Sequence, residues 1–182
     1  MMPVSLTAGQ GVTRVMHRCE HAKHSNFLDL SSCNIMYVAD AIYLVLRECT
    51  VKKCNLENNV IKKFPAKMVT KFPEMMHFSI ANNEIAEIPE IISNWKKLKA
   101  INISRNKLKQ FPEAMYNLKE LNIIDLSYNQ ITELDIEKLC ECLPNLQILN
   151  IAKNPMPPDH LQDVLNFARK IRRLKILYLA HD

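Results

Sequence analysis

Apolar residues recur at positions 1, 4, 6 and 11 of a short unit, with asparagine at position 9, along almost the whole chain. The pattern is clearest at Leu98, Ile101, Ile103, Asn106 and Leu108. It returns at Val51, Cys54, Leu56, Asn59 and Ile61, and again at Met75, Phe78, Ile80, Asn83 and Ile85. Two further copies follow: Leu121, Ile124, Leu126, Asn129, Ile131, and Leu146, Leu149, Ile151, Asn154, Met156. A weaker opening copy has Leu28, Leu30, Cys33 and Ile35. Ninth positions fall at Cys33, Asn59, Asn83, Asn106, Asn129 and Asn154, so the intervals are 26, 24, 23, 23 and 25 residues. A period in the twenties is the mark of a stacked solenoid.

Positions 4 and 6 alternate with polar neighbours, as a strand with one buried face requires. Ile101 and Ile103 point inward and Asn102 points out. One such strand cannot bury its apolar side alone, so copies must pair into a parallel sheet over a shared core. The turn after each strand leaves buried backbone groups without ladder partners. An asparagine amide both donates and accepts, so Asn59, Asn83, Asn106, Asn129 and Asn154 are expected to form a structural ladder along the solenoid. Cys33 fills that slot in the first copy, and a thiol is a poorer substitute.

Phe64-Pro65, Ile88-Pro89 and Phe111-Pro112 place proline after an apolar residue. Proline ends any strand and sends the chain to the outer side. Three-residue spacing at Ile92, Trp95, Leu98 and at Met115, Leu118, Leu121 suits a short helical or 3₁₀ return. Asp135 replaces the proline in the fifth copy, and Ile136, Leu139 and Leu143 predict a helix ending at Pro144.

The ends of a solenoid need lids. Val12, Val15, Met16 and Cys19 lie on one helical face within residues 11–24. Downstream, Asp159 and Gln162 have capping-box spacing, with Leu161, Leu165, Ala168 and Ile171 as the core face. Leu174, Leu177 and Leu179 then restart the repeat, predicting a terminal strand. The expected organisation is a tail and amphipathic capping helix over 1–26, then repeats over 27–182 with a C-terminal helix at 159–173, in one structural domain. The fold class is α/β: a right-handed solenoid, a short horseshoe with a concave parallel sheet, a helical or 3₁₀ convex side and helical end caps.

A chain of 182 residues can bury such a core without disulfides or metal. The first ten residues lack a basic start and an apolar run, so no secretory signal is expected. No apolar stretch approaches the roughly 18 residues of a membrane span. The six cysteines do not form the paired caps of extracellular solenoids: Cys54 is at a core position, Cys33 in the ladder, Cys140 on a return helix, Cys19 on the lid. Cysteine used as a small hydrophobe points to a reducing compartment, cytoplasmic or nuclear.

The 23-residue units Met75–Leu98 and Leu98–Leu121 resemble the intracellular leucine-rich-repeat family, with its apolar-proline step after the asparagine. The opening Leu28-Asp29-Leu30-Ser31-Ser32-Cys33 and the stretch Ala41-Ile42-Tyr43-Leu44-Val45-Leu46-Arg47 resemble a small vertebrate branch of it. The resemblance covers about residues 27–182. The proline step is missing after Ile35, and the basic C-terminal helix is a second departure. The resemblance implies a binding scaffold and supplies no catalytic residues and no ligand.

The outward strand positions would then form the recognition face. Position 3 reads Phe27, Lys53, His77, Ala100, Ile123, Ile148 and Ile176; position 5 reads Asp29, Asn55, Ser79, Asn102, Asp125, Asn150 and Tyr178. Position 8 reads Ser32, Asn58, Asn82, Arg105, Tyr128, Lys153 and His181. Apolar Ile123, Ile148 and Ile176 beside Tyr128 and Tyr178, rimmed by Arg105 and Lys153, have the composition of a protein interface. β-branched residues also favour strands on either face, which is the plainer reading. The expected function is a non-catalytic adaptor binding an unidentified protein, itself a monomer.

The alternative is an acidic ligand, nucleic acid or anionic lipid, held by Arg169, Arg172, Arg173 and Lys175. Apolar residues interrupt these charges at core spacing, which suits a solvated helix face, and no RNA-binding aromatic motif accompanies them. His17, His21 and His24 could share one side of the lid, but Cys19 faces away, so no four-ligand zinc site forms locally and no metal is expected. No phosphate loop, nucleophile elbow or metalloprotease histidine pair is present, and no cofactor is implied. Asp29 and Asp125 would stand about 19 Å apart at roughly 4.8 Å per strand, too far for paired-carboxylate chemistry.

Overall fold

A computed structural model describes residues 8–178, with side chains from residue 11 onward. Each repeat contributes a three-residue strand and a return segment. The order is α1 (Ala8–Ser25), β1 (Phe27–Asp29), α2 (Asp40–Val45), β2 (Lys53–Asn55), α3 (Lys67–Lys71), β3 (His77–Ser79), a 3₁₀ turn (Glu90–Asn94) and β4 (Ala100–Asn102). A second 3₁₀ turn (Glu113–Asn117), β5 (Ile123–Asp125), α4 (Ile136–Cys142), β6 (Ile148–Asn150), α5 (Pro158–Ala168) and β7 (Lys175–Leu177) complete it. The strands form one open parallel sheet in sequence order, β1 to β7. This is the short solenoid that the repeat spacing predicts.

The core follows the apolar positions. Leu28, Cys54, Phe78, Ile101, Ile124 and Leu149 pair in register as one buried row. Phe64, Phe78 and Trp95 meet edge-on or tilted between the sheet and the returns, and the Trp95 indole donates to Phe72 O at 2.9 Å. Asp135 caps α4 by accepting from Lys138 N at 2.9 Å.

The asparagine ladder reaches backwards. Asn106 Oδ1 accepts from Ile85 N in the preceding repeat at 2.9 Å, and its Nδ2 donates to Ile80 O, Ile103 O and Ser104 O. Asn83 and Asn129 repeat the arrangement, and all five ladder asparagines are buried. At the first repeat, Asn59 Oδ1 accepts from Cys33 N and Ile35 N. Arg18 of α1 supplies the donors Cys33 cannot: its guanidinium bonds Ser31 O at 2.6 Å and Asp29 O at 3.2 Å, and contacts Cys33 Sγ at 3.3 Å.

Three end-structure expectations are corrected. On α1 the buried residues are Cys19 and Ala22 with Val15 partly covered, while Val12 and Met16 are 64% and 38% exposed. The packed stripe runs along 15, 19 and 22, closer to the Arg18 contact. The Asp159–Gln162 capping box does not form: α5 starts at Pro158, no side chain caps it, and Gln162 donates to Asn166. Proline at the first helical position needs no amide partner and sets the start earlier. The helix also ends at Ala168 rather than 173.

The terminal strand is shifted by one residue. Ile148 pairs with Lys175 and Leu149 with Ile176, so Ile176 joins the core-facing row and Lys175 and Leu177 face outward. Leu174 is buried just before the strand, its N–H bonded to Ile171 O. No asparagine stands at the ninth position to pin the phase, and a one-residue slip exchanges the faces. Ile176 therefore leaves the concave face, and Tyr178 lies beyond β7. Leu179 and His181 lie outside the described residues.

Candidate functional site

The outward rows of β1–β6 form the concave face. Ile123 and Tyr128 are each 41% exposed there, beside half-buried Ile148 and Lys153. Ile123 and Ile148 are direct cross-strand neighbours. Of the seven candidate residues, Arg105, Ile123, Tyr128, Ile148 and Lys153 fall together, and Ile176 and Tyr178 do not.

Position 8 has a backbone feature the side chains alone do not announce. Ser32, Asn58, Asn82, Arg105, Tyr128 and Lys153 all have φ between 53° and 57°. In this conformation the N–H of Asn82, Arg105 and Tyr128 reaches position 7 of the next repeat, at Ser104 O, Ser127 O and Ala152 O. The sheet's hydrogen bonding thus continues past the strands while the chain turns away. Asparagine tolerates left-handed φ; for large side chains it is costly. Arg105 lies over the Tyr128 ring, its Cζ 4.0 Å from the centroid.

Position 5 follows a second rule. Asp29, Asn55, Asn102, Asp125 and Asn150 each turn a side-chain oxygen back to the N–H two residues on, at Ser31, Glu57, Ser104, Ser127 and Ala152. These are Asx turns. A groove of about 370 Å³ lies above three of them, Asn55, Asn102 and Asp125, lined also by Phe27, Lys53, Glu57, His77, Ala100 and Ile123 among others. It is centred toward the N-terminal half, and of the candidate residues only Ile123 lines it. The visible clue was Ala100, a small residue in an outward row of larger ones. Burial first, then Lys53 and Lys99, holds the His77 imidazole below its ordinary pKa.

A second cleft, about 390 Å³, opens on the return side among Phe111, Tyr116, Leu134, Lys138 and His160. His160 Nε2 accepts from Leu134 N at 2.9 Å, and Lys138 sits 4.5 Å from the Tyr116 ring centroid. Burial first, then the charges of Asp135, Glu113 and Cys142, pushes the Tyr116 hydroxyl up to about 12.

The basic cluster divides. Arg173 donates to Cys140 O, Arg169 to Asn166 Oδ1, and Lys175 joins the concave rows, leaving Arg172 exposed near the helix end. On α1, Cys19 is buried while His21 Nδ1 contacts Ser25 Oγ. Among the described residues no three His, Cys, Asp or Glu side chains gather as metal ligands. All six cysteines are free, and burial pushes the Cys19, Cys33, Cys54 and Cys140 thiols upward, away from nucleophilic thiolate. No described helix is long and apolar enough to cross a membrane.

Residues 73–131 and 96–156 match the family described as leucine rich repeat. The chain is 39% identical over 155 residues to leucine-rich repeat-containing protein 20 of Mus musculus, covering 83% of this chain and 84% of that protein. The Homo sapiens protein of that name is 32% identical over 96 residues, 50% of this chain and 52% of that one. A leucine-rich-repeat protein of Leptospira interrogans superposes with a TM-score of 0.65 at 26% identity, over 79% of this chain and 34% of that chain. The leucine-rich repeat domain of APL1B gives 0.61 at 19% identity, over 85% of this chain and 43% of that one, a likeness of fold alone. The chain spans less than half the length of those solved structures.

Proposed function

We propose that this chain, which belongs to the leucine-rich repeat family, is a non-catalytic adaptor that holds a protein partner on its concave face. Leucine-rich repeats serve generally as protein–protein interaction modules; the use of this face, and of the patch Arg105, Ile123, Tyr128, Ile148 and Lys153, is our reading. The observation that carries it is the left-handed backbone under Arg105, Tyr128 and Lys153. Each large side chain there costs about 1 kcal/mol relative to a residue suited to that conformation. Folding does not call for these side chains, because Asn58 and Asn82 meet the same backbone demand without them. Arg105 and Tyr128 offset part of that cost by stacking on one another; in our reading an outside contact accounts for the remainder and for half-buried Lys153. The free thiols suit a cytoplasmic or nuclear setting.

The test compares proximity labelling and affinity capture for the wild type and for Tyr128→Glu combined with Ile148→Glu. The doubly substituted chain should unfold at nearly the wild-type denaturant concentration and lose specific partners. An unchanged set of captured proteins would rule this face out.

A further inference from the structure

The return side carries a cleft whose charge runs against that of the whole chain. It lies where the 3₁₀ return of the fourth repeat meets the helical return of the fifth, beside His160 of α5, and holds about 390 Å³. The sequence has a net charge of +5, yet Glu113, Glu133 and Asp135 line this cleft against one ammonium, that of Lys138. His160 adds no charge, because its Nε2 accepts from Leu134 N and so carries no proton. Lys119 and Arg173, on the flanking segments, donate to the carbonyls of Tyr116, Cys142 and Cys140 and are not in the lining.

The cleft already seats one cation of the chain's own. Lys138 Nζ lies 3.6 Å from Glu113 and 4.5 Å from the Tyr116 ring centroid. Two further carboxylates are left over. Glu133 has no ion pair and no hydrogen bond among the described residues. The Asp135 carboxylate accepts from one neutral donor, Lys138 N. Tyr116 is 8% exposed, yet its hydroxyl has no hydrogen-bond partner among the described residues and is not sealed beneath other atoms. It faces the cleft, where the charges of Asp135 and Glu113 act on it, and its oxygen is free to accept an N–H. We infer that the cleft receives a basic side chain, arginine or lysine, of a partner polypeptide, its cation beside Glu113 and Glu133 with the Tyr116 hydroxyl as a further acceptor. The site is on the other side of the sheet from the concave patch and does not rest on that reading. A small cationic molecule fits less well. Small-ligand sites are lined mostly by apolar groups, and only Phe111 and Leu134 are wholly apolar here; a side chain anchored by its own backbone needs less cover.

Fluorescence anisotropy on the full chain tests this with a labelled peptide of alternating arginine and serine, its glutamine–serine and glutamate–serine counterparts, and spermine as an unlabelled competitor. The arginine peptide should bind about five-fold tighter than the glutamine peptide, the scale that two partly exposed ion pairs supply. Added salt should weaken it. Glu113→Gln combined with Glu133→Gln should remove the preference while leaving the urea midpoint near the wild-type value. Tyr116→Phe, which keeps the ring, should weaken the arginine peptide about three-fold. Glu20→Gln combined with Glu48→Gln removes the same charge from exposed positions of the first repeat and should change nothing. Ala100→Leu, which fills the concave groove, should also change nothing. No binding by the arginine peptide, equal binding of another peptide, or a preference that survives the cleft substitutions would each overturn the inference. Equal loss with Glu20→Gln and Glu48→Gln, or loss with Ala100→Leu, would place the binding elsewhere and overturn it too. Full displacement by spermine at equal charge concentration would make the ligand a polyamine, against the polypeptide inferred here.

Discussion

The two halves of the solenoid meet one backbone requirement with different residues. Ser32, Asn58 and Asn82 take the left-handed position in the N-terminal half; Arg105, Tyr128 and Lys153 take it in the C-terminal half, at φ values within a few degrees. The turn and its hydrogen bonds are shared, so the frame does not explain the change in side chain. The groove instead lies toward the N-terminal half, with Asn55, Ser79 and Asn102 in its lining. One half offers short polar side chains in a groove, the other large side chains at the left-handed turn.

The comparison breaks first at the ladder. Asn83→Ala and Asn129→Ala should each lower stability by about 3 kcal/mol, because each strands a buried amide and several carbonyls. Urea unfolding reads this, and a clearly smaller loss in one half would show that the frame is not common to both. Arg18→Ala should cost about 1–2 kcal/mol through its charged hydrogen bonds to Asp29 O and Ser31 O. Hydrogen exchange should rise at the Ser31–Ile35 turn and stay unchanged near Asn129.

Exchanging residues between halves sharpens it further. Tyr128→Asn should stabilise the fold by about 1 kcal/mol and weaken partner binding, while Asn82→Tyr should destabilise it by about as much. Equal stability for both variants would remove the strain argument.

The smallest effect is with pH. His77 binds a proton less readily in the folded chain than in the unfolded one, through burial and then Lys53 and Lys99. Its contribution is complete above the unfolded value of about 6.5. It declines as pH falls through that value and levels off below the folded one. His77→Gln should flatten this slope, measured as urea midpoint against pH.

The asparagine ladder and the inward rows were legible because one residue type at a fixed interval implies one recurring backbone problem. The left-handed turn was half legible: asparagine at 58 and 82 suggests it, but Arg105, Tyr128 and Lys153 argue locally for something else. Arg18 could not be read, since its role depends on how α1 crosses the first turn, 11 to 15 residues away. The β7 register escaped for want of any residue to fix it. The groove escaped because a floor is defined by the lengths of its neighbours: Ala100 means little until Lys53, His77 and Ile123 stand beside it.

Each ladder asparagine completes the bend of the unit before its own. A tandem duplication or excision of one full period would hand every amide an intact bend to finish. Length can vary within the return segments, as intervals of 23 to 26 residues show, but a cut between strand and bend would orphan one. New strands can thus be added or removed only as whole modules, which makes the middle of this solenoid the natural place to splice in another unit.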